Sequence, residues 1–306
     1  MSLYGWIIYN GNLITDKFMD YVQWFQKTAE DVGVEVEHVA NNELLVSLMN
    51  GKPTFTMKDG ISLKEKRPDF VHFADKDLHL ARHIEGMGIP LFNSSRSIEI
   101  CDNKSYMYQV LSLHNIPMPN TIIAPKIYEG LPVKNSAHLE LVKKQLGFPL
   151  IIKEAFGSFG QQVYWINNES ELEAMLTKLG GKEFVYQAPV TTSIGTDIRL
   201  NVVGDKVVAA MKRTSETDFR ANVTAGGKTM PYEPTEEEKG LAVRSAKAVG
   251  AEFAGVDLLF GENGPILCEV NSNPHLRSIY ECTGLNVADY MVRYIKSVVP
   301  ERGVRK

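Results

Sequence analysis

Two carboxylates and one amide in the last third of the chain have the types and spacing to do chemistry. The stretch reads Phe253-Ala254-Gly255-Val256-Asp257-Leu258-Leu259-Phe260, then Gly261-Glu262-Asn263-Gly264-Pro265, then Ile266-Leu267-Cys268-Glu269-Val270-Asn271. Two apolar runs around a turn-rich connection predict a β-hairpin. With the turn centred on Asn263, Asp257 lies directly opposite Glu269, since the two are equally far from that centre. Opposed Cβ atoms sit about 4.5–5.5 Å apart. Two carboxylates at that separation repel by roughly 3 kcal/mol at an effective dielectric of about 20. A proton, an arginine or a metal ion would each offset this. By the two-residue period Asn271 shares the Asp257 face, as does a Leu259–Leu267 pair, while Val256, Leu258, Cys268 and Val270 point into a core. Oxygen-only ligands suit a hard cation such as Mg²⁺, with phosphate oxygens completing the octahedron. The plainer alternative is a solvated, salt-bridged strand face. Glu269 inside an apolar strand that continues into Asn-Ser-Asn-Pro is a poor composition for one.

Cations stand where anions belong. Asp102 is the expected cap of a helix running through Tyr106 to His114, which places Lys104 in its first turn. The positive end of a helix dipole disfavours a cation there, and a bound anion reverses that penalty. Lys153 ends the strand-like Leu150-Ile151-Ile152-Lys153, just before Gly157-Ser158-Phe159-Gly160-Gln161-Gln162 and a second strand, Val163 to Ile166. Its ammonium and the backbone N–H groups from Gly157 to Gly160 would make a phosphate cradle. The loop is no Walker A motif, since GxxxxGK[ST] is absent and a strand follows. Taken singly, each lysine is more often a solvated surface residue, and spacing alone does not bring the two together.

A third group lies between. Gly195-Thr196-Asp197-Ile198-Arg199 puts Asp197 and Arg199 on one strand face, and a Gly204-Asp205 turn returns a strand from Lys206 to Lys212-Arg213. Phe219-Arg220-Ala221-Asn222 follows. This is either an ordinary hairpin with charged outer positions or a cationic patch facing the acidic hairpin.

The elements that must hold these residues follow from the rest of the chain. At 306 residues it is long enough for two or three packed subdomains. Its 44% hydrophobic and 23% charged residues are those of an ordinary globular protein. A net charge of -4 gives no general attraction to nucleic acid or to anionic membrane. Cys101, Cys268 and Cys282 lack metal-ligand spacing and predict a reducing compartment. The first thirty residues lack an apolar signal core, and no run reaches the roughly 18 apolar residues of a membrane span, so a cytoplasmic protein is expected. Trp6 to Tyr9, Val34 to Val36 and Phe70 to Phe73 read as strands, alternating with helices over Phe18 to Val32 and Leu78 to Met87. That alternation predicts a parallel, doubly wound sheet, here without a GxGxxG fingerprint. A linker-like stretch holds Pro125, Gly130 and Pro132, and a helix through Leu139 to Leu146 ends at Gly147. Thr235 and Glu238 form a capping box opening a helix that Gly250 closes.

In order, Asp102-Asn103-Lys104, Lys153, Gly157 to Gly160, Gly195 to Arg199, Phe219 to Asn222, Gly255-Val256-Asp257 and Glu269-Val270-Asn271 resemble the ATP-grasp ligases of the RimK type. The resemblance runs over about residues 93 to 295 and is densest from 184 onwards. It implies an α/β fold with α+β subdomains: an ATP-grasp fold behind a Rossmann-like pre-ATP-grasp domain at 1–95. A central subdomain with a glycine-loop lid would span 96–186, and a C-terminal one bearing the metal site 187–306. It further implies that Lys104, Lys153, Gly157, Ser158 and Gly160 hold ATP phosphates. Gln187, Ala188 and Pro189 would meet adenine, with Asp197 on the ribose. Arg220, Ala221 and Asn222 would line the nucleotide and acyl-phosphate site, with Arg199, Arg213 and Arg220 stabilising the developing acyl phosphate. Asp257, Glu269 and Asn271 would bind Mg²⁺, with Mn²⁺ as a substitute. Two departures stand out. Gln162 replaces a loop glycine of the family, and Ser272-Asn273-Pro274-His275-Leu276-Arg277 replaces its Ser-Pro-Gly-Leu-Glu run, adding a positive charge near the acceptor side.

The implied reaction has two in-line steps. A carboxylate attacks the γ-phosphate of ATP to give an acyl phosphate, and an amine then expels phosphate from it. The leading expectation is addition of glutamate, or another amino acid, to a peptide, protein or small-amine acceptor, in a chain that leaves room for a homo-oligomer. Alternatives are a glutathione synthetase-like or dipeptide ligase of the same fold, and a non-catalytic ATP-binding regulator.

Overall fold

The computed structural model describes residues 3–13, 15–58, 67–128, 137–157, 160–221 and 226–303. Chain order begins with β1 (Tyr4–Tyr9), α1 (Asp16–Asp31), β2 (Glu35–Ala40), β3 (Leu44–Met49), β4 (Lys52–Met57), β5 (Phe70–Phe73), α2 (Leu78–Gly86) and β6 (Leu91–Phe92). The strands form a parallel sheet in the order β2-β1-β5-β6, and β3-β4 make a separate hairpin. Apolar residues on both faces of β1 give it two helical covers. Ile7 and Tyr9 pack with Val22, Phe25 and Ala29 of α1, whereas Trp6 and Ile8 pack with Leu80, Ala81 and Ile84 of α2. The connections therefore pass over opposite faces on either side of β1, as in a doubly wound sheet.

Next come α3 (Ser95–Asp102), α4 (Lys104–Leu113), β7 (Thr121–Ile123), α5 (Ala137–Leu146), β8 (Leu150–Glu154), β9 (Val163–Ile166), α6 (Glu169–Leu179) and β10 (Phe184–Gln187). Here the sheet is antiparallel, β7-β10-β8-β9, and β7 is a short strand just ahead of the linker-like stretch that begins at Pro125. Asp102 does not cap the second helix. It ends α3, and Asn103 caps α4 through its side-chain oxygen, which accepts from Tyr106 N at 3.1 Å. Lys104 still falls at the first position of that helix.

The last part runs β11 (Thr196–Val203), β12 (Lys206–Thr214), β13 (Lys228–Pro231), α7 (Glu236–Ala248), β14 (Phe253–Gly261), β15 (Gly264–Asn271), α8 (Arg277–Thr283) and α9 (Val287–Gly303). Five strands pair in the order β13-β12-β11-β14-β15. The capping box forms as expected, with Glu238 N bonded to Thr235 Oγ1 at 3.3 Å and Thr235 N to Glu238 Oε2 at 2.7 Å. α7 then lays Leu241, Ala242 and Ala246 on Val256, Leu258 and Val270.

The two ends of the chain share one core. Met291, Val292 and Ile295 of α9 pack with Val22 and Phe25 of α1 and with Phe253. Asn93, 1% exposed, locks this arrangement. Its amide donates to Phe253 O and Ser272 O at 2.7 Å, and its oxygen accepts from Glu252 N at 2.7 Å and Phe253 N at 3.0 Å. All of its strongest hydrogen-bonding capacity is thus used, and the carboxyl end of the first sheet is fixed against the base of the β14-β15 hairpin. No helix among the described residues is long and apolar enough to cross a membrane.

Candidate active site

Asp257 and Glu269 are direct cross-strand partners, with Val256 opposite Val270 and Gly255 opposite Asn271. The turn, however, is the two-residue Glu262-Asn263, closed by a Gly261–Gly264 pair. A register shift beside Asp257 supplies the missing half-step, pairing Leu258 with Leu267 and leaving Cys268 as the extra residue of a β-bulge. The expected Leu259–Leu267 pair does not form. Leu267 is fully buried in the core, and Cys268 turns to the opposite side, its Sγ 3.8 Å from Lys153 Nζ.

Asp257, 5% exposed, is clasped by arginines from its own sheet. Arg199 is its register partner on β11 and donates through Nε and, at 2.7 Å, Nη2. Arg213 Nη2 stands 3.0 Å from the same carboxylate and also holds Asp197 by bonds of 2.6 and 2.7 Å. The cationic patch therefore lies beside the acidic hairpin, in one sheet, rather than facing it. Burial alone would raise the Asp257 carboxyl, but Arg199 and Arg213 outweigh it and hold the group below its ordinary value. Asp197 is pushed up, by burial and by the neighbouring Asp257 charge, against the pull of Arg213. Both Asp197 oxygens are engaged by Arg213, so a ribose hydroxyl there would share them with that guanidinium.

Glu269 is more open, and its Oε1 lies 3.6 Å from Lys104 Nζ. Lys104, 5% exposed, also donates to Gly157 O at 3.1 Å, and its backbone N bonds Ala155 O at 2.9 Å. These contacts offset the helix-dipole penalty and bring the start of α4 to the strand that carries Lys153. Lys153 is 7% exposed and forms no ion pair among the described residues. Its Nζ donates to Tyr108 OH at 3.2 Å, and that hydroxyl donates to Cys268 O at 2.8 Å. Burial opposes its charge, yet Cys268, Tyr108 and Glu269 more than compensate and keep the ammonium above its ordinary value. The Cys268 thiol is itself pushed up by burial, so its share of that effect applies only at alkaline pH. A buried ammonium with no carboxylate in direct contact calls for an anion. The two lysines flank the carboxylate hairpin together. Tyr108, one helical turn beyond Lys104, was not among the sequence candidates, although i,i+4 spacing puts both on one face of α4.

The remaining candidates divide. Arg220 bonds Asp218 through Nε and Nη2 at 2.9 and 2.7 Å, and its Nη1 donates to Gly160 O, reaching the glycine loop. Ala221 is buried beside it. Gln187 is buried with its amide on Thr121 Oγ1 at 2.8 Å, and Ala188 N is taken by Asn120 O at 2.9 Å. Those donors tie β10 to β7 rather than facing a base, and Pro189 beside them is half-buried. Ser158 and Asn222 lie outside the described residues. Arg277 is not a free acceptor-side cation, since it bonds Asp20, with Nε to Oδ2 at 2.9 Å, and stacks 4.2 Å over Trp24.

The donor set fits a hard divalent ion in its chemistry. Asp257, Glu269 and Asn271 share one face, and the Asn271 amide nitrogen binds Gly255 O at 3.3 Å, leaving its carbonyl oxygen as the atom to offer. Among the described residues no three His, Cys, Asp or Glu side chains cluster for a metal; the set here is two carboxylates and one amide, and Mg²⁺ commonly keeps several waters beside so few protein ligands.

Two solved structures share the whole architecture. D-alanine–D-alanine ligase from Bacillus anthracis complexed with ATP matches with a TM-score of 0.73 and 18% identity, over 100% of both chains. ATP-grasp ligase PsnB complexed with a phosphomimetic variant of its minimal precursor, Mg and ADP matches with a TM-score of 0.68 and 17% identity, over 97% of this chain and 99% of that one. The fold is that of the ATP-grasp ligases. In sequence, the RimK-like ATP-grasp domain matches residues 101–295, and a probable α-L-glutamate ligase 2 of Shewanella amazonensis is 38% identical over 226 residues, 73% of this chain and 72% of that protein. The chain belongs to the RimK-like ATP-grasp family.

Proposed function

We propose that the protein is an ATP- and Mg²⁺-dependent carboxylate–amine ligase that adds an amino acid, glutamate first among them, to an amine- or carboxylate-bearing acceptor. The observation that carries this reading is the pair of buried lysines beside the opposed carboxylates, one of them without an ion pair among the described residues. Lys153 and Lys104 bind and orient the ATP phosphates. Asp257, Glu269 and Asn271 would hold Mg²⁺, which neutralises phosphate charge during transfer. Arg199 and Arg213, already partnered by carboxylates, are rigid donors for charge that develops on the acyl phosphate, and Arg220 reaches the glycine loop at Gly160 O. No nucleophilic side chain is required, and catalysis rests on positioning and charge neutralisation. In this reading 1–95 supplies one wall of the cleft, 96–186 the lysines, and 187–306 the carboxylate hairpin.

The test is calorimetric titration of a non-hydrolysable ATP analogue with Mg²⁺. Lys153→Ala should weaken binding at least tenfold, and unchanged affinity would remove Lys153 from the phosphate site. ADP release across a panel of amino acids and acceptors then identifies the substrates. Turnover independent of glutamate points to a dipeptide or glutathione synthetase-like ligase, and binding without any turnover to a regulator.

A further inference from the structure

The carboxyl ends of three adjacent parallel strands carry side chains that the reaction above does not use. Asn41 follows β2, Asn10 follows β1, and Asp75 stands two residues beyond β5. They converge. Asn41 Nδ2 donates to Asp75 Oδ2 at 3.2 Å, and Asn10 Nδ2 reaches both Asp75 oxygens at 3.4 and 3.3 Å. Gly11 N donates to Asn41 Oδ1 at 3.0 Å, and Lys76 N to Asp75 Oδ1 at 2.8 Å. Asp75 forms no ion pair among the described residues, since the neighbouring Lys76 ammonium goes to Asp102.

Three features point to a ligand here. The position is the switch point of the sheet, between β1 and β5, where the connecting helices change faces, the place at which open α/β sheets generally take their ligands. The cluster is also tied to the chain that leaves the proposed site. Asn273 Nδ2 donates to Asp75 O at 3.1 Å, and Asn273 is two residues past Asn271, a span of at most about 7 Å. Finally, the carboxylate is half-buried, its hydrogen bonds come from neutral N–H donors, and the charges of Asp77 and Lys76 act on it only as minor, opposing influences. Burial holds its pKa above the ordinary value, a cost that an incoming cation would remove.

We propose that Asp75, flanked by Asn10 and Asn41, holds the primary ammonium group of an amino-acid substrate at the carboxyl end of the first sheet. This rests on the ligase reading and names a specificity residue for it. The amides fix the carboxylate's orientation, the carboxylate selects the ammonium, and Asn273 sets its distance from the metal-side carboxylates.

The experiment is calorimetry on the full chain saturated with AMP-PNP and Mg²⁺, titrated with L-amino acids and then with the deaminated analogue of whichever binds. The native protein should bind an amino acid and reject its deaminated analogue. Asp75→Asn should weaken amino-acid binding at least tenfold, leave AMP-PNP affinity within twofold, and Asp75→Glu should recover part of the loss. Equal amino-acid affinity in native and Asp75→Asn proteins overturns the assignment, as does nucleotide binding with no amino-acid binding at all. A parallel loss of nucleotide and amino-acid affinity assigns Asp75 a structural role, which also overturns it. Failure of the native protein to bind AMP-PNP would instead sink the ligase reading on which this one stands.

Discussion

Glu269 and Asp257 face each other across two strands yet are neutralised differently. Two guanidiniums hold Asp257 with little exposure, whereas Glu269 keeps contact with solvent and a single ammonium at 3.6 Å. Glu269 is thus the carboxylate readiest to take a new cation. Glu269→Gln preserves volume and removes the charge, so turnover should fall by at least about a hundredfold, the usual cost of one electrostatic group in a site. The melting midpoint should move by less than about 4 °C, roughly 1 kcal/mol in a chain of this size. Parent-like turnover would remove Glu269 from the metal site. The identities of these side chains were legible in the sequence. Their partners were not, because Arg199 and Arg213 reach Asp257 only after two other strands have paired, and Tyr108 meets Lys153 only once α4 docks.

Among the elements, the β14-β15 hairpin shows how a register read by symmetry succeeds through a compensating irregularity. A turn centred on Asn263 predicted the Asp257–Glu269 pair. The chain turns half a residue earlier and recovers with a bulge at Cys268. Turn composition showed where the hairpin was but not its bulge, and a one-residue slip exchanges core and site faces. The bulge makes a stability prediction. Leu267→Ala should cost about 2–5 kcal/mol in urea unfolding, the price of a core cavity. Cys268→Ala should cost less than about 1 kcal/mol, since it lies off the core face. The opposite ranking would restore the regular register. The β3-β4 hairpin is marked in the sequence only by Asn50-Gly51, both residues having positive φ. Leu45, Leu48 and Met49 are exposed there, so the apolar alternation that usually reveals a strand is absent.

Across the whole molecule, the two ends of the chain meet around His72. Its ring stacks on Phe25 with centroids 4.3 Å apart and lies 5.9 Å from Phe253. Nδ1 donates to Phe92 O at 3.2 Å, which leaves Nε2 to accept from Tyr21 OH at 2.8 Å. Burial pushes His72 down to about 4 from 6.5, against the Phe92 bond. The unfolded chain therefore takes up the proton first. The histidine's contribution is fully present above pH 6.5 and is lost as pH falls through about 4, a span of roughly 3 kcal/mol. His72→Phe should flatten the native protein's loss of stability over that window by about this amount, measured by urea unfolding at several pH values. Identical pH profiles would show that the ring is not buried neutral. The alternation of strands and helices made the doubly wound first sheet legible. The shared core of α1, α9 and Phe253 was not, because contacts between residues so distant in sequence leave no periodic trace.

The central claim is that Asp257, Glu269 and Asn271 gather a divalent ion against the phosphates of a nucleotide held by Lys104 and Lys153. Its most direct test is a crystal of the complex with AMP-PNP and Mn²⁺, using anomalous scattering to locate the metal. The account predicts a peak bonded to Glu269 and to a phosphate oxygen at about 2.0–2.2 Å, with Lys153 on the phosphate chain. A metal and nucleotide bound away from this hairpin would contradict it.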